Sequence, residues 1–262
     1  MQVILFHIGS FPVRSYGLFV AIAIILSAFV AYYLAKGTKY RKHVFDLLLY
    51  VIIGAIIGAR LWEVLFFQSA YYFKHPLEIF QIWNGGLSIQ GGLVGGFVTG
   101  LIYTRIHKLS FWEFADVLAP AIILGQSIGR IACFLNGDAF GAPTNSGFGL
   151  VYPEGTMAYD TFGSQPLWPA ELFEMQLNMI VFAILIGLKN VKWPKGFIFL
   201  SYNILYNTGR FFLEFLRGDT PEYALQWTAA QWTSIAIIVI SVIFMVYGFV
   251  NKKWRENQLK EM

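Results

Sequence analysis

The residues best suited to chemistry lie in one stretch, GQSIGRIACFLNGDAFG, at residues 125–141. Gln126 and Arg130 are four residues apart and share one face of a helix. Asn136 and Asp138 follow where that helix is expected to end. Arginine presents a planar fork that matches phosphate oxygens, and the neighbouring glycines allow a ligand to approach. We therefore predict an anion site for a lipid phosphate, the alternative being an arginine that only reaches the membrane interface.

A second group of polar residues recurs in steps of three and four along residues 203–217. The group comprises Asn203, Tyr206, Asn207, Arg210, Glu214 and Arg217. Such spacing places them on one stripe of a helix, and a polar stripe on an apolar span must face protein or a polar cavity. Arg210 and Glu214 can pair with each other at i, i+4, and Arg210 still keeps donors for a ligand.

A third charged pair, Arg60 and Glu63, is three residues apart and can also pair. A structural ion pair is at least as well supported there as a substrate role. The four histidines are scattered, and the single cysteine, Cys133, allows no intrachain disulfide. We expect neither a metal nor a cofactor, and we interpret Cys133, among apolar neighbours, as a buried and inert thiol.

The elements that position these residues are membrane helices. The 262 residues are 57% hydrophobic and only 13% charged, whereas a soluble domain has about 25% charged residues. We predict an all-α polytopic membrane protein with seven transmembrane helices, at roughly 17–35, 45–67, 87–104, 118–135, 169–188, 196–216 and 228–250. An amphipathic piece at Leu109–Val117 and a small extracytoplasmic cap at about 136–167 complete one predicted domain, 1–262.

The basic residues indicate the orientation of these spans. Thirteen lie after the first, third, fifth and seventh spans: Lys36, Lys39, Arg41, Lys42, Arg105, Lys108, Lys189, Lys192, Lys195, Lys252, Lys253, Arg255 and Lys260. Only Arg14, Lys74 and Arg217 lie on the other side. The positive-inside rule therefore places the N-terminus outside and the C-terminus in the cytoplasm. No cleavable signal peptide is visible, so we expect the first span to be permanent.

Six glycines occupy the stretch GGLSIQGGLVGG, residues 85–96. Small residues at four-residue spacing, such as Gly54 with Gly58 and Gly92 with Gly96, allow helices to pack closely. The stretch lacks the lysine and serine of a phosphate-binding loop. A second hypothesis is that Gly91 and Gly92 leave room for a lipid head group and a peptide to approach the backbone.

These segments together resemble the bacterial prolipoprotein diacylglyceryl transferases. The resemblance rests on RSYG (14–17), GAR (58–60), WNGGLSIQGGLVGG (83–96), GQSIGRIACFLNGDAFG (125–141), PAELFE (169–174) and GRFFLEFLRGD (209–219). It implies an enzyme that moves the diacylglyceryl group of phosphatidylglycerol to the lipobox cysteine thiol of a prolipoprotein signal peptide, at the outer face of the cytoplasmic membrane. Glycerol phosphate leaves, and no nucleic acid is involved.

The resemblance also implies roles for particular residues. Arg130 matches the family's phosphatidylglycerol-binding arginine, and Arg210 with Glu214 matches its second charged helix. Tyr16 matches a functional tyrosine of the first span, and Gly141 ends the signature. From these matches we expect Arg130, Arg210, Glu214 and Asp138 to be catalytic, and Arg130, Tyr16, Gln90, Gly91, Gly92, Asn136 and Gly141 to bind substrate. The acceptor of the thiol proton stays open among Asp138, Glu214 and the departing phosphate.

Three positions depart from the family pattern. Gln90 stands where many members have a histidine proposed as the base, and an amide cannot take that role. Ala132-Cys133 replaces the usual Gly-Asn, and Trp168 stands where a histidine often precedes the Pro-Ala-Glu segment. Two alternatives follow: a diverged paralogue that modifies another acceptor, and a lipid-binding or transport protein without chemistry. A transporter is disfavoured because no inverted repeat is evident.

Overall fold

The computed structural model describes residues 1–9, 11–221 and 223–250. Nine α-helices and one hairpin occur in these residues: β1 (Ile4–Ile8), β2 (Phe11–Arg14), α1 (Ser15–Leu34), α2 (Val44–Trp62), α3 (Ser69–Lys74), α4 (Ile89–Ile106), α5 (Phe111–Asn136), α6 (Met157–Phe162), α7 (Ala170–Lys189), α8 (Phe197–Leu213) and α9 (Ala229–Val250). The chain divides into a larger unit, 1–31 with 115–262, and a smaller unit, 32–114. The single domain stays a prediction.

Each of the seven predicted spans corresponds to a helix, and five are long and apolar enough to cross a membrane. These five are α1, Arg41–Phe67, α5, α7 and α9. The glycine-rich α4 is less apolar, and α8 has only 17 residues before a short 3-10 turn at Glu214–Leu216. The chain is therefore a mainly helical, multi-pass membrane protein.

One expectation from the sequence is wrong, and one element of the structure was not predicted. The separate amphipathic piece predicted at Leu109–Val117 is absent, because α5 begins at Phe111 and continues without a break to Asn136. The antiparallel hairpin of β1 and β2 was not predicted, since its apolar residues resemble the start of a span. The basic residues after α9, Lys252, Lys253, Arg255 and Lys260, lie outside the described residues.

The segment between α5 and α7, which we call the cap, has a small core of its own. Phe140, Tyr152, Ala158 and Leu167 are buried together. The backbone of Leu167 bridges to both Pro143 and Leu150, and α6 follows the turn after Glu154. The cap is therefore a folded element that connects the end of α5, which carries Arg130, to the first turn of α7.

In the smaller unit α2 and α4 pack closely through their glycines. A Cβ atom on Gly91 would lie 2.3 Å from the carbonyl oxygen of Gly58 and 2.3 Å from Cβ of Trp62. One on Gly95 would lie 2.3 Å from the carbonyl oxygen of Gly54. These distances are far below van der Waals contact, so the close approach of the two backbones requires glycine. The helix-packing interpretation explains these glycines.

Candidate functional site

A cluster of two buried carboxylates and two half-buried arginines lies within the larger unit. Glu174, on α7, accepts from Nη2 of Arg130 on α5 at 2.6 Å and from Nη1 of Arg210 on α8 at 2.8 Å. Its side chain is 2% exposed. One carboxylate thus joins two arginines that come from sequence positions 80 residues apart, and the predicted Arg130 and Arg210 lie in one site.

Glu214 is the fourth member of this cluster and pairs with Arg210. Nη2 of Arg210 lies 2.9 Å from Oε2 of Glu214, the i, i+4 pair that the sequence predicts. The hydroxyl of Thr228 donates to Oε1 of Glu214 at 3.0 Å, and the hydroxyl of Tyr206 donates to Glu174 at 3.3 Å. The two carboxylates balance the two guanidinium charges, which makes burial of the cluster possible.

Of the other residues of this stretch, Cys133 contacts Arg130, whereas Asn136 and Asp138 pair with each other. Nη1 of Arg130 contacts the sulfur of Cys133 at 3.7 Å, and the amide of Asn136 donates to Asp138 at 2.8 Å. Tyr16, on α1, lies within electrostatic range of Arg130, Cys133 and Asp138. Cys133 is partly exposed and contacts a charged residue, so the prediction of a buried thiol is wrong, and its inertness stays a prediction.

Gly141 lies where the backbone of the cap closely approaches the turn that follows α8. Its N–H donates to the carbonyl oxygen of Trp168 at 3.0 Å, and a Cβ atom there would lie 2.4 Å from that oxygen and 2.8 Å from the carbonyl oxygen of Leu216. The next residue, Ala142, donates to Leu216 at 2.8 Å. Glycine is therefore required for packing, and substrate binding by Gly141 stays a prediction.

Gln90, Gly91 and Gly92 lie at the start of α4, in the smaller unit. The hydroxyl of Ser88 caps this helix and donates to Oε1 of Gln90 at 2.7 Å. A Cβ atom on Gly92 would make only ordinary contacts, at 3.6 Å and beyond. Their roles in substrate binding stay predictions, and only Gly91 has a packing reason to be glycine.

Arg60 has partners other than the one that the sequence suggested. Its buried guanidinium donates to carbonyl oxygens of Ile79 (2.8 Å), Gly85 (2.8 Å) and Gly86 (2.9 Å), and also to those of Glu78 and Gln81. Glu63 instead accepts from Gln68 at 3.0 Å. Gly85 and Gly86 have φ of +86° and +70°, a conformation that glycine adopts freely. Arg60 therefore holds the segment between α3 and α4 in place.

Two buried residues of the site were missed by the sequence reasoning. Glu174 and Glu171 both lie in PAELFE, and their exposed fractions are 2% and 0%. The sequence contains a signal for both residues, because a carboxylate at the start of an apolar span usually has a partner in the protein interior. The partner itself comes from the tertiary structure: Tyr152 of the cap donates its hydroxyl to Glu171.

The cluster can bind an anion while remaining intact. A guanidinium has five N–H groups, so each arginine can hold a carboxylate and still donate to a phosphate. Two cations fixed by shared carboxylates also stabilise charge that develops on a leaving group. Two half-buried arginines joined by one buried carboxylate, in a chain with five helices of membrane-spanning length, are typical of a membrane-embedded protein that handles an anionic ligand.

Comparison with known proteins shows the family of this chain. The family model for prolipoprotein diacylglyceryl transferase matches residues 3–247. A phosphatidylglycerol–prolipoprotein diacylglyceryl transferase of Bacillus velezensis is 35% identical over 97% of this chain and 96% of its own length. One from Acaryochloris marina is 40% identical over 95% and 91%, and one from Geobacillus kaustophilus is 37% identical over 92% and 90%. The chain therefore belongs to the prolipoprotein diacylglyceryl transferase family.

Proposed function

We propose that this chain transfers the diacylglyceryl group of phosphatidylglycerol to the thiol of a lipobox cysteine in a prolipoprotein signal peptide. The observation that carries the proposal is the shared carboxylate of Glu174 between Arg130 and Arg210. The names of full-length relatives supply the substrates. The lipid bilayer is the third partner, because both substrates are embedded in it.

The reaction joins sulfur to C3 of the diacylglycerol moiety. The thiol sulfur attacks this carbon, the bond from carbon to the phosphate oxygen breaks, and glycerol phosphate leaves with the bonding electron pair. Arg130 anchors the phosphate, and Arg210 is the second cation that balances the negative charge on the leaving oxygen. Glu174 and Glu214 are positioning residues that hold the two guanidinium groups. Cys133 takes no covalent part, since the nucleophile belongs to the substrate.

The thiol proton goes to Asp138 or to the departing phosphate. Glu214 forms an ion pair with Arg210 through Oε2 and accepts from Thr228 through Oε1, so both of its carboxylate oxygens are already engaged. Asp138 accepts from the amide of Asn136 at 2.8 Å and also contacts the thiol of Cys133, and neither of these partners is a cation. Asn136 would then orient Asp138, and Tyr16 would hydrogen-bond the head group or the peptide backbone.

The proposed topology has seven spans, with α4 and α8 as the two that are less apolar. The distribution of lysine and arginine places the N-terminus outside and the C-terminus in the cytoplasm. The cap and the charged cluster then lie toward the outer face of the cytoplasmic membrane. This placement supports the proposal, because a signal peptide presents its lipobox cysteine at that face.

The test is transfer in a reconstituted system. Purified protein is mixed with phosphatidylglycerol vesicles and a lipobox peptide, beside an Arg130→Ala variant, and the peptide mass is followed by mass spectrometry. A diacylglyceryl mass increase that is absent in the variant is expected. Unmodified peptide with wild-type protein that still retains phosphatidylglycerol would reject the proposed reaction and favour a binding role or another acceptor.

A further inference from the structure

Glu171 and Arg217 each contain a buried polar atom without a hydrogen-bond partner in the described structure. The atoms are Oε2 of Glu171 and Nη1 of Arg217. Burial of an unpaired acceptor or donor is costly, and native proteins usually avoid it. A buried carboxylate oxygen and a buried guanidinium nitrogen, each lacking a partner, together indicate a group that pairs with them when it is bound.

Their positions place both residues one turn from the charged cluster. Glu171 precedes Glu174 by three residues in the first turn of α7, so the two side chains share a helix face. Arg217 follows Glu214 by three residues, directly after the turn that ends at Leu216. Arg217 acts electrostatically on both Glu171 and Glu174. The pair therefore adjoins the phosphate-binding arginines, on the side toward the ends of the membrane helices.

Each member of the pair is already fixed by another residue. Tyr152 donates its hydroxyl to Oε1 of Glu171. Burial raises the pKa of Tyr152 well above its usual value, so this hydroxyl keeps its proton as a donor. Nε and Nη2 of Arg217 both bond Asp219, at 2.7 Å each. Oε2 of Glu171 is therefore left as an acceptor and Nη1 of Arg217 as a donor. Other hydrogen bonds of the same side chains already fix the positions of both atoms before a ligand binds.

Hydroxyl groups suit both of these atoms, since a hydroxyl can donate to a carboxylate and can accept from a guanidinium. The head group of phosphatidylglycerol ends in a glycerol with two free hydroxyls, beyond the phosphate as seen from the acyl chains. With the acyl chains toward the membrane interior and the phosphate on Arg130 and Arg210, that glycerol extends toward the helix ends. Glu171 and Arg217 lie there.

We propose that Glu171 and Arg217 form a subsite for the terminal glycerol hydroxyls of the lipid head group, and that this subsite selects phosphatidylglycerol. The inference rests on the proposed function, because it takes the phosphate to be bound by Arg130 and Arg210. It goes beyond that function in assigning the choice of head group to two residues outside the charged cluster.

The experiment compares two anionic lipids that differ in these hydroxyls. Transfer to a lipobox peptide is measured with phosphatidylglycerol and with phosphatidylethanol, whose head group has no hydroxyl, for wild-type protein and Glu171→Gln. The glutamine keeps an oxygen for Tyr152 but places an NH₂ group where the hydroxyl must donate. We expect the rate with phosphatidylglycerol to fall about tenfold or more in the variant, and the rate with phosphatidylethanol to stay unchanged.

Glu154→Gln is the matched control, since Glu154 is an exposed cap residue that accepts from Tyr159 at 3.0 Å. It should leave both rates unchanged. Equal losses with both lipids in Glu171→Gln would show a structural role and overturn the subsite. If that variant does not fold, the wild-type protein provides the test. Its transfer rate with phosphatidylglycerol should be about tenfold higher than its rate with phosphatidylethanol. Equal rates with the two lipids would overturn the subsite but not the proposed function. Transfer from neither lipid would reject the proposed function as well.

Discussion

The carboxylate of Glu174 lies between Arg130 and Arg210, at 2.6 Å from one guanidinium and 2.8 Å from the other. Each of its two oxygens accepts from a different arginine. Because the side chain is buried, this bridge fixes the separation of the two cations before any lipid is bound. A phosphate that contacts both arginines then meets donors already in place, and such preorganised charge is an effective source of transition-state stabilisation.

The two arginines should not be replaceable by lysine. Arg130→Lys and Arg210→Lys keep the charge but lose the planar fork that holds a carboxylate and a phosphate together. We expect the rate of transfer in reconstituted vesicles to fall by about a hundredfold in each variant. Arg105→Lys, an exposed position at the end of α4, is the control and should remain active. Lysine variants with the wild-type rate would mean that charge alone suffices.

The glycines of α2 and α4 should respond to substitution according to the contact that each one makes. Gly58→Ala introduces a Cβ atom 2.4 Å from the carbonyl oxygen of Gly91, so the helices must separate, at a cost of about 1–3 kcal/mol. Gly100→Ala meets nothing within 4 Å and should leave the melting temperature in detergent unchanged or slightly higher. If both variants melt at the same temperature, the close packing of α2 and α4 is not a source of stability.

The same contacts affect how Gly91 and Gly92 can be tested. Gly91→Val would clash with α2 and should lower the melting temperature, so lost activity there would not report on substrate approach. Gly92→Ala fits, with its nearest contact at 3.6 Å, and tests the approach of substrate without disturbing the helix pair. Reduced transfer by a Gly92→Ala protein of normal stability would support the substrate role, and normal transfer would contradict it.

Arg60 should be a structural residue of the segment between α3 and α4. Arg60→Gln removes most of the donors to the carbonyl oxygens of residues 78–86, each such bond to a charged group contributing about 1.5–3 kcal/mol. Amide hydrogen exchange within residues 76–88 should become faster, by at least about tenfold. Glu63→Gln is the control and should leave exchange there unchanged. Unaltered exchange in Arg60→Gln would contradict this role.

Much of this arrangement could be predicted from the sequence, and the rest depended on tertiary contacts. The lengths of the apolar runs predict the helices, and the cost of burying charge marks Arg130, Arg210 and Glu214 as interior residues. The bridge by Glu174 was not predicted, because its partners lie 44 and 36 residues away on other helices. Arg60 was given the wrong partner for a similar reason: local spacing favoured Glu63, whereas its carbonyl partners follow 18–26 residues later.

The most direct test of the central claim is the rate of diacylglyceryl transfer by Glu174→Gln, measured by mass spectrometry of the lipobox peptide. A neutral amide cannot balance two guanidinium charges, so Arg130 and Arg210 should repel each other and lose their fixed separation. We predict a rate at least about a hundredfold below wild type in protein that still folds and inserts. A Glu174→Gln protein that transfers at the wild-type rate would contradict it.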